Sequence, residues 1–452
     1  MREVTLAEML DARDRRAEAQ NRLLAERGLP LISFTMNIPG PVKNSPPIRR
    51  AFDEGLRLLE GALEEAGIAR LSPLLTHAAT GNEYLCAVGA SAAAVKAICT
   101  RIEEESPLGR LFDMDVIAPD GRKLARREER RCLVCGAAGR GCASRRMHSL
   151  DELKAAVTKL LTGGLLAADA ARADALANDA LLCEVATTPK PGLVDRDNNG
   201  AHRDMTCETF EKSAAALRGY WRGCFLTGAE TAELPAAEAF ARLRPLGMEA
   251  EKKMLAATGG VNTHKGAIFT LGTVCGALGR LWRADEPCAD PAAIAAACAA
   301  LSAEAVAADF AALEERGVAR TAGEELYLIS GLRGIRGEVA TGLPAVLQTG
   351  LPVLEDCLSA GMSRNDAGVI ALLHLIARGE DTNMIKRGGA ALAAETARRM
   401  REALEENSRP SMELVRAWDA FFIENRLSPG GCADLLAVSY FLHDWRQQNQ
   451  EE

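Results

Sequence analysis

Between Glu184 and Met205 the chain reads EVATTPKPGLVDRDNNGAHRDM, a stretch with no apolar period that lies between two segments of helical pattern. Loops stiffened by Pro and Gly on a rigid scaffold are where binding and catalytic groups concentrate, and such a segment cannot be buried for its own sake. Lys190, Asp195, Asn199, His202 and Asp204 combine a cation, carboxylates, an amide and an imidazole, the groups of a phosphate-and-metal site; a plain polar surface loop is the other reading. GGVNTHKGA, from Gly259 to Ala267, has the same character through Asn262, His264 and Lys265, and it favours the functional reading. In the first half, PLGRLFDMDVIAPDGRKLA alternates along a strand and turns at Pro119-Asp120-Gly121, which predicts a hairpin. Residues two apart on a strand share a face, so Asp113 and Asp115 project together while Phe112, Met114 and Val116 point into the core. Two carboxylates on one face beside Gly109-Arg110 can hold Mg²⁺, which takes few carboxylates and completes its shell with phosphate oxygens and water; a solvated strand edge is the other reading.

Downstream, Cys132, Cys135, Cys142 and His148 have a spacing that could bind zinc, although the interval from Cys135 to Cys142 and on to His148 is not that of a standard finger. Arg126, Arg127, Arg130, Arg131, Arg140, Arg145 and Arg146 make the same stretch densely basic. Guanidinium forks suit polyphosphate or an acidic protein partner, and a solvated face is the alternative.

The elements that must position these groups change character along the chain. At 452 residues the sequence exceeds what one core usually supports, so two domains are expected. Aromatics are only 4% of residues, which favours helix over sheet. Up to about residue 164 the pattern is α+β: a charged helix from Val4 to Arg27, a short β-prone run in LISFTMNIPGPVKNSPP broken by its prolines, a packing helix from Arg49 to Gly67, a strand in NEYLCAVGAS from Asn82 to Ser91, a helix from Ala92 to Glu105, then the hairpin. The loop after LISFTM carries Asn37, Lys43 and Asn44 among prolines and could hold an anion, with a Pro-rich connector as the other reading. A helix from Leu150 to Leu161 is expected to end at Gly163-Gly164, which divides the chain into 1–164 and 165–452. Beyond it Ala-rich helical segments alternate with polar, Gly-containing loops, including GLRGIRGEVATGLP, RGEDTNMIKRGG and RLSPGGCADLLA, as in an all-α bundle whose site is assembled from several connections.

The net charge of -8 provides no general nucleic-acid footprint. No run of 18 or more apolar residues marks a membrane span, and the charged N-terminus is unlike a signal peptide. Thirteen scattered cysteines suit reduced thiols better than a disulfide framework. A cytoplasmic location is expected.

The block from about Ala175 to Trp445 resembles the triphosphoribosyl-dephospho-CoA synthase family, with EVATTPKPGLVDRDNNGAHRDM, GVNTHKGAIFTLG, GIRGEVATGLP, DTNMIKRGG and LSPGGCADLLA in that family's order. The first block, through SFTMNIPGPVK, GRLFDMDV and RRCLVCGAAGRGCASRRMHS, resembles the citrate lyase holo-acyl-carrier-protein synthases, the phosphoribosyl-dephospho-CoA transferases. Both serve one prosthetic group, so the chain looks like the fused, bifunctional version. Cys432 departs from the small hydroxyl residue expected in the SPGG-x-ADLL loop, where the backbone of Gly430 and Gly431 could still act.

The resemblance implies that the second domain joins ATP to dephospho-CoA, a ribose hydroxyl displacing adenine while the triphosphate is kept. On that reading Asp195, Asp204 and Glu338 would provide Mg²⁺ binding and charge stabilisation, and Lys190, Lys265 and Arg336 triphosphate contacts. His202 and His264 would act as acid and base, with Asn262, Asp381 and Asn383 on ribose or base edges. The first domain would transfer the phosphoribosyl-dephospho-CoA unit to a serine of the apo acyl carrier of citrate lyase and release pyrophosphate. There Asp113 and Asp115 would hold Mg²⁺, Arg110 and Lys43 would neutralise pyrophosphate, and the segment near Arg145 would dock the carrier or the nucleotide. An aspartate pair with transfer chemistry also fits a nucleotidyltransferase-like fold. The rivals are a Mg²⁺-dependent all-α ribosyl hydrolase fused to a carrier-binding domain, a non-catalytic nucleotide-binding assembly factor, and a relative that modifies the malonate decarboxylase carrier.

Overall fold

A computed structural model describes residues 2–126, 130–137, 139, 142 and 145–450; Arg127 and Arg140 of the basic run lie outside the described residues. The chain divides into two compact units, Met1–Asp169 with Arg283–Glu286, and Ala170–Trp282 with Pro287–Glu451.

The first unit is α+β. Strands β1 (Leu31–Met36), β2 (Arg70–Ala78), β3 (Gly81–Val88) and β4 (Phe112–Ile117) form an antiparallel sheet in the order β2-β3-β1-β4. Because β1 is central, Leu31, Ile32 and Phe34 are all fully buried, although they point to both faces. On one face Phe34 stacks on Phe52 of helix α2 (Pro46–Glu65) at 4.6 Å and meets Phe112 edge-on at 5.4 Å. On the other face helix α1 (Leu6–Arg27) packs Leu23 against Leu31, Leu85, Ala87 and Ile117. Thr5 and Glu8 close a capping box at the start of α1, and Gly28 ends it at φ 61. Helix α3 (Ala92–Glu105) precedes the short turn Gly109–Leu111 that leads into β4.

Two expectations are corrected here. The Ala118–Gly121 turn forms, with Gly121 N–H bonded to Ala118 O at 2.9 Å, but the return strand is reduced to the bridge between Ile117 and Lys123, with Leu124 N–H bonded to Val116 O at 2.8 Å. Helix α4 (Leu150–Ala186) does not stop at Gly163-Gly164. A Cβ on Gly164 would lie 2.5 Å from the Leu108 side chain, so glycine is required there for close packing and not as a helix end.

In the second unit every element among the described residues is helical. The helix Lys265–Leu281 is buried along most of its length and packs against Tyr220–Glu230, Ala236–Ala257, Pro291–Arg316 and Gly430–Gln450. Among the described residues Pro291–Arg316 alone is long and apolar enough to cross a membrane, and it buries Ile294, Leu301, Val306 and Phe310 against its neighbours.

Candidate active sites

The loop from Thr187 to Asp195 is buried, contrary to the expectation for so polar a stretch, because its polar atoms find partners within the protein. Asn365 exchanges hydrogen bonds with the Thr188 backbone at 2.9 and 2.7 Å. Asp419 accepts from Gly192 N–H at 2.9 Å and from Asn198 Nδ2 at 2.8 Å. Asp195 accepts from the backbone N–H groups of Lys190, Asp197 and Asn198. Lys190, 1% exposed, donates from Nζ to the Glu184 carboxylate and to Glu184 O, both at 2.6 Å.

This loop forms one wall of a cavity of about 300 Å³. Glu184, Lys190 and His202 come from the opening stretch, Asn262 to Gly266 from the GVNTHKGA loop, Asn383, Lys386 and Arg387 from DTNMIKRGG, and Ser428, Gly430 and Asp434 from the SPGG turn. Four of the quoted motifs therefore meet at one place. The fifth, GIRGEVATGLP, does not line it: Arg336 faces Asp309 at 3.8 Å, and Glu338 accepts from Ala345 N–H.

The two histidines are held neutral in different ways. Burial, reinforced by Lys190, pushes His264 down to about 3. Thr263 Oγ1 donates to Ser213 Oγ at 2.7 Å, which directs the Ser213 hydroxyl hydrogen to His264 Nδ1, also at 2.7 Å. With Nδ1 accepting from Ser213, the proton of the neutral ring is assigned to Nε2, which is buried with no protein partner. His202 is pushed down to about 4 by burial and then by Arg387, whose guanidinium donates to Nδ1 at 3.1 Å. Its Nε2–H donates to Ser428 Oγ at 2.8 Å, so both ring nitrogens are engaged.

Asp434 reaches the N-terminus of the helix Lys265–Leu281, where a Cβ on Gly266 would lie 1.9 Å from Oδ2. Burial, then the charges of Glu184 and Asp381, push the Asp434 carboxyl well above the usual range, and the Ala267 N–H opposes the shift in part. Asp381 caps the helix Thr382–Gly388 through Asn383 and Met384 N–H, and its other oxygen accepts from Cys432 N–H at 2.8 Å. It joins the DTNMIKRGG and SPGG segments and is itself outside the lining. The Cys432 side chain is buried, so its backbone, and not a side-chain hydroxyl, makes the contact at that position.

In the first unit Asp113 and Asp115 lie side by side on β4, opposite Thr35 and Ser33 of β1, while Phe112, Met114 and Val116 are fully buried, as the alternation predicted. Asp115 pairs with Lys123. Arg110 donates to Arg131 O, and Arg130 donates to Phe112 O and, at 2.5 Å, to Glu103. Glu103 also pairs with Arg126 and accepts from Met114 N–H at 2.8 Å, so a fully buried carboxylate holds the arginines at the base of β4. Lys43 donates to Ile38 O within its own loop.

Residues 170–452 match the family described as ATP:dephospho-CoA triphosphoribosyl transferase, and residues 4–163 match apo-citrate lyase phosphoribosyl-dephospho-CoA transferase. Protein CitXG of Haemophilus influenzae is 33% identical over 98% of this chain and 97% of that protein. Protein CitXG of Leuconostoc mesenteroides is 31% identical over 97% of each. The chain belongs to both families, fused in one polypeptide. It is a bifunctional transferase. A probable 2-(5''-triphosphoribosyl)-3'-dephosphocoenzyme-A synthase of Vibrio cholerae, 42% identical, aligns with 60% of this chain and 86% of its own length.

For this triphosphoribosyl transferase the cavity gathers His202, His264, Lys190, Asn262, Lys265, Asn383 and Gly430 from the residues singled out in the sequence. Asp195, Asn199, Asp204, Arg336, Glu338, Asp381 and Gly431 are not in its lining. Sequence reasoning passed over Glu184, Ser428, Asp434, Lys386 and Arg387, although all five lie inside the quoted motifs. Acids and bases at helix starts read as ordinary caps until the fold shows what they face.

Proposed function

We propose that the second-unit cavity is where ATP and dephospho-CoA are joined, and that the Asp113/Asp115 face of the first unit is where the carrier is modified. The chain makes triphosphoribosyl-dephospho-CoA with release of adenine. It then transfers the phosphoribosyl-dephospho-CoA group to a serine of the citrate lyase acyl carrier with release of pyrophosphate. The observation that carries the first assignment is the buried, unpartnered Nε2–H of His264 in the same cavity as the Asp434 carboxyl. Asp434, whose carboxyl lines the same cavity, takes in its ionised form the proton of the attacking ribose hydroxyl. The His264 Nε2–H donates to the departing adenine, and Lys265, Lys386 and Arg387 bind the triphosphate. Asn262 and Asn383 supply amide contacts to ribose or base.

The carboxylates first expected to hold magnesium in this unit do not fit the ion. Asp195 is engaged by three backbone N–H groups, and Asp204 is 65% exposed beside His202. Glu338, likewise, serves Ala345 N–H.

Asp113 and Asp115 do fit: they share one face of β4 and are partly exposed, with Asp115 exchanging its pairing with Lys123 for the ion. They would hold Mg²⁺, which when bound neutralises the reacting phosphate. Arg110 offsets charge on the leaving pyrophosphate, the exposed Arg145 and Arg146 dock the acidic carrier, and the sheet with its aspartate pair is read as nucleotidyltransferase-like.

Incubation of the chain with ATP and dephospho-CoA should release adenine and yield a triphosphoribosyl adduct of dephospho-CoA by mass. Free triphosphoribose would instead mark a hydrolase, and no adenine a binding protein. Apo carriers of citrate lyase and malonate decarboxylase, supplied in parallel, should be modified and left unmodified respectively.

A further inference from the structure

In the first unit one ligand atom from each of Cys132, Cys135, Cys142 and His148 lies within 4.8 Å of all the others. Cys135 Sγ stands 3.4 Å from Cys142 Sγ and 3.3 Å from His148 Nε2. With Zn–S near 2.3 Å and Zn–N near 2.0–2.1 Å, the ligand atoms of a tetrahedral site stand roughly 3.5–3.8 Å apart, so the four groups are within small rotations of that arrangement.

The backbone is shaped to present them. Cys132 N–H bonds to Ala137 O at 2.7 Å and Gly136 N–H to Cys132 O at 3.1 Å, a tight knuckle that closes through Gly136 at φ 71, where a side chain would be strained. Met147 N–H bonds to Cys142 O at 3.1 Å and turns the chain so that His148 returns to the thiols. Apolar burial does not account for the order of this segment: among the described residues from Arg130 to His148 none is buried, and Met147 is 61% exposed. A segment without a core needs another restraint to be ordered, and a cross-linking metal is the one these side chains can supply.

We propose that Cys132, Cys135, Cys142 and His148 bind a structural zinc ion, and that this ion fixes the arginine-bearing segment against the base of β4. The segment's anchors lie at its start: Arg110 donates to Arg131 O, Gly139 N–H bonds to Arg130 O at 3.0 Å, and Arg130 donates to Phe112 O, next to Asp113. Zinc therefore acts on the positioning of Arg110 and Arg130, with all four ligand positions filled by protein and none left for chemistry. The consequence for carrier transfer rests on the reading of the first unit given above; the metal site does not.

The full-length chain, purified under reducing conditions from zinc-supplemented cells, should contain about one equivalent of zinc, as expected for a closed four-ligand site. Cys135→Ser and His148→Ala should lose it, whereas His148→Cys, which keeps four ligands, should retain it. Cobalt reconstitution should give the visible absorption of a tetrahedral sulfur-rich site. Adenine release, a property of the other unit, should be unchanged in each variant and reports that the chain is folded. Carrier modification from supplied triphosphoribosyl-dephospho-CoA should fall in the zinc-free variants and be kept by His148→Cys. A metal-free chain with freely titratable thiols, or with Cys135 disulfide-bonded to Cys142, would overturn the site. Full carrier transfer after zinc loss would overturn the positioning role, and a zinc-loaded chain that modifies no carrier would count against the first-unit reading alone.

Discussion

At His264 the chemistry is set by what the ring lacks. Its Nδ1 is satisfied by Ser213 and its Nε2 is buried without a protein partner, so the proposal makes it a neutral donor and not the proton-exchanging imidazole that its residue type invites. His264→Ala should slow adenine release by roughly 10²-fold, the usual cost of one preorganised donor. The pH profile of adenine release should show no inflection near 6.5 from either histidine, since His264 lies at about 3 and His202 at about 4. A stability effect accompanies this. Because the folded pKa is depressed, the unfolded chain binds the extra proton between pH 6.5 and about 3. Stability contributed by neutral His264 is thus present above 6.5 and falls by about 1.4 kcal/mol per pH unit below it, measurable by denaturant titration of the second unit across pH. Lys190 acts differently: it was expected to contact phosphate, but it is committed to Glu184 inside the protein. Lys190→Met strands that carboxylate and should cost about 3–5 kcal/mol of second-unit stability in the same titration.

At the scale of elements, the glycine at the start of Lys265–Leu281 makes a directly testable contact. Gly266→Ala favours the helix by propensity, yet its Cβ would occupy the space of the Asp434 carboxyl. The variant should stay folded by circular dichroism and lose adenine release as Asp434→Asn does. The elements were legible wherever periodicity was strong. β1, β3, β4 and helices α1 to α3 lie where alternation and apolar spacing put them, and the helical nature of the second unit followed from composition. β2 was missed because Pro73 and the bulge between Leu71 and Leu74 break its alternation, which an edge strand tolerates. α4 was cut short because a Gly-Gly pair reads as a stop, while the reason for Gly164 is the Leu108 side chain, distant in sequence. The site was legible as a set of motifs and not as a set of roles. Asp195, Asp381 and Glu338 carry the right chemistry but spend it on backbone N–H groups, and only the fold shows which carboxyl faces the cavity.

At the scale of the whole molecule, the proposal places the two chemistries on two units, one at a sheet edge with paired aspartates and one among loops converging between helices. Each chemistry should be removable without the other. The most direct test is one assay on Asp434→Asn and Asp113→Asn, following adenine release from ATP and dephospho-CoA together with the mass of an apo citrate lyase carrier. Asp434→Asn should lose adenine release by roughly 10²–10⁴-fold yet still modify the carrier when given preformed triphosphoribosyl-dephospho-CoA. Asp113→Asn should release adenine at the wild-type rate and leave the carrier unmodified. Wild-type adenine release by Asp434→Asn, or loss of both activities in either folded variant, would contradict the account.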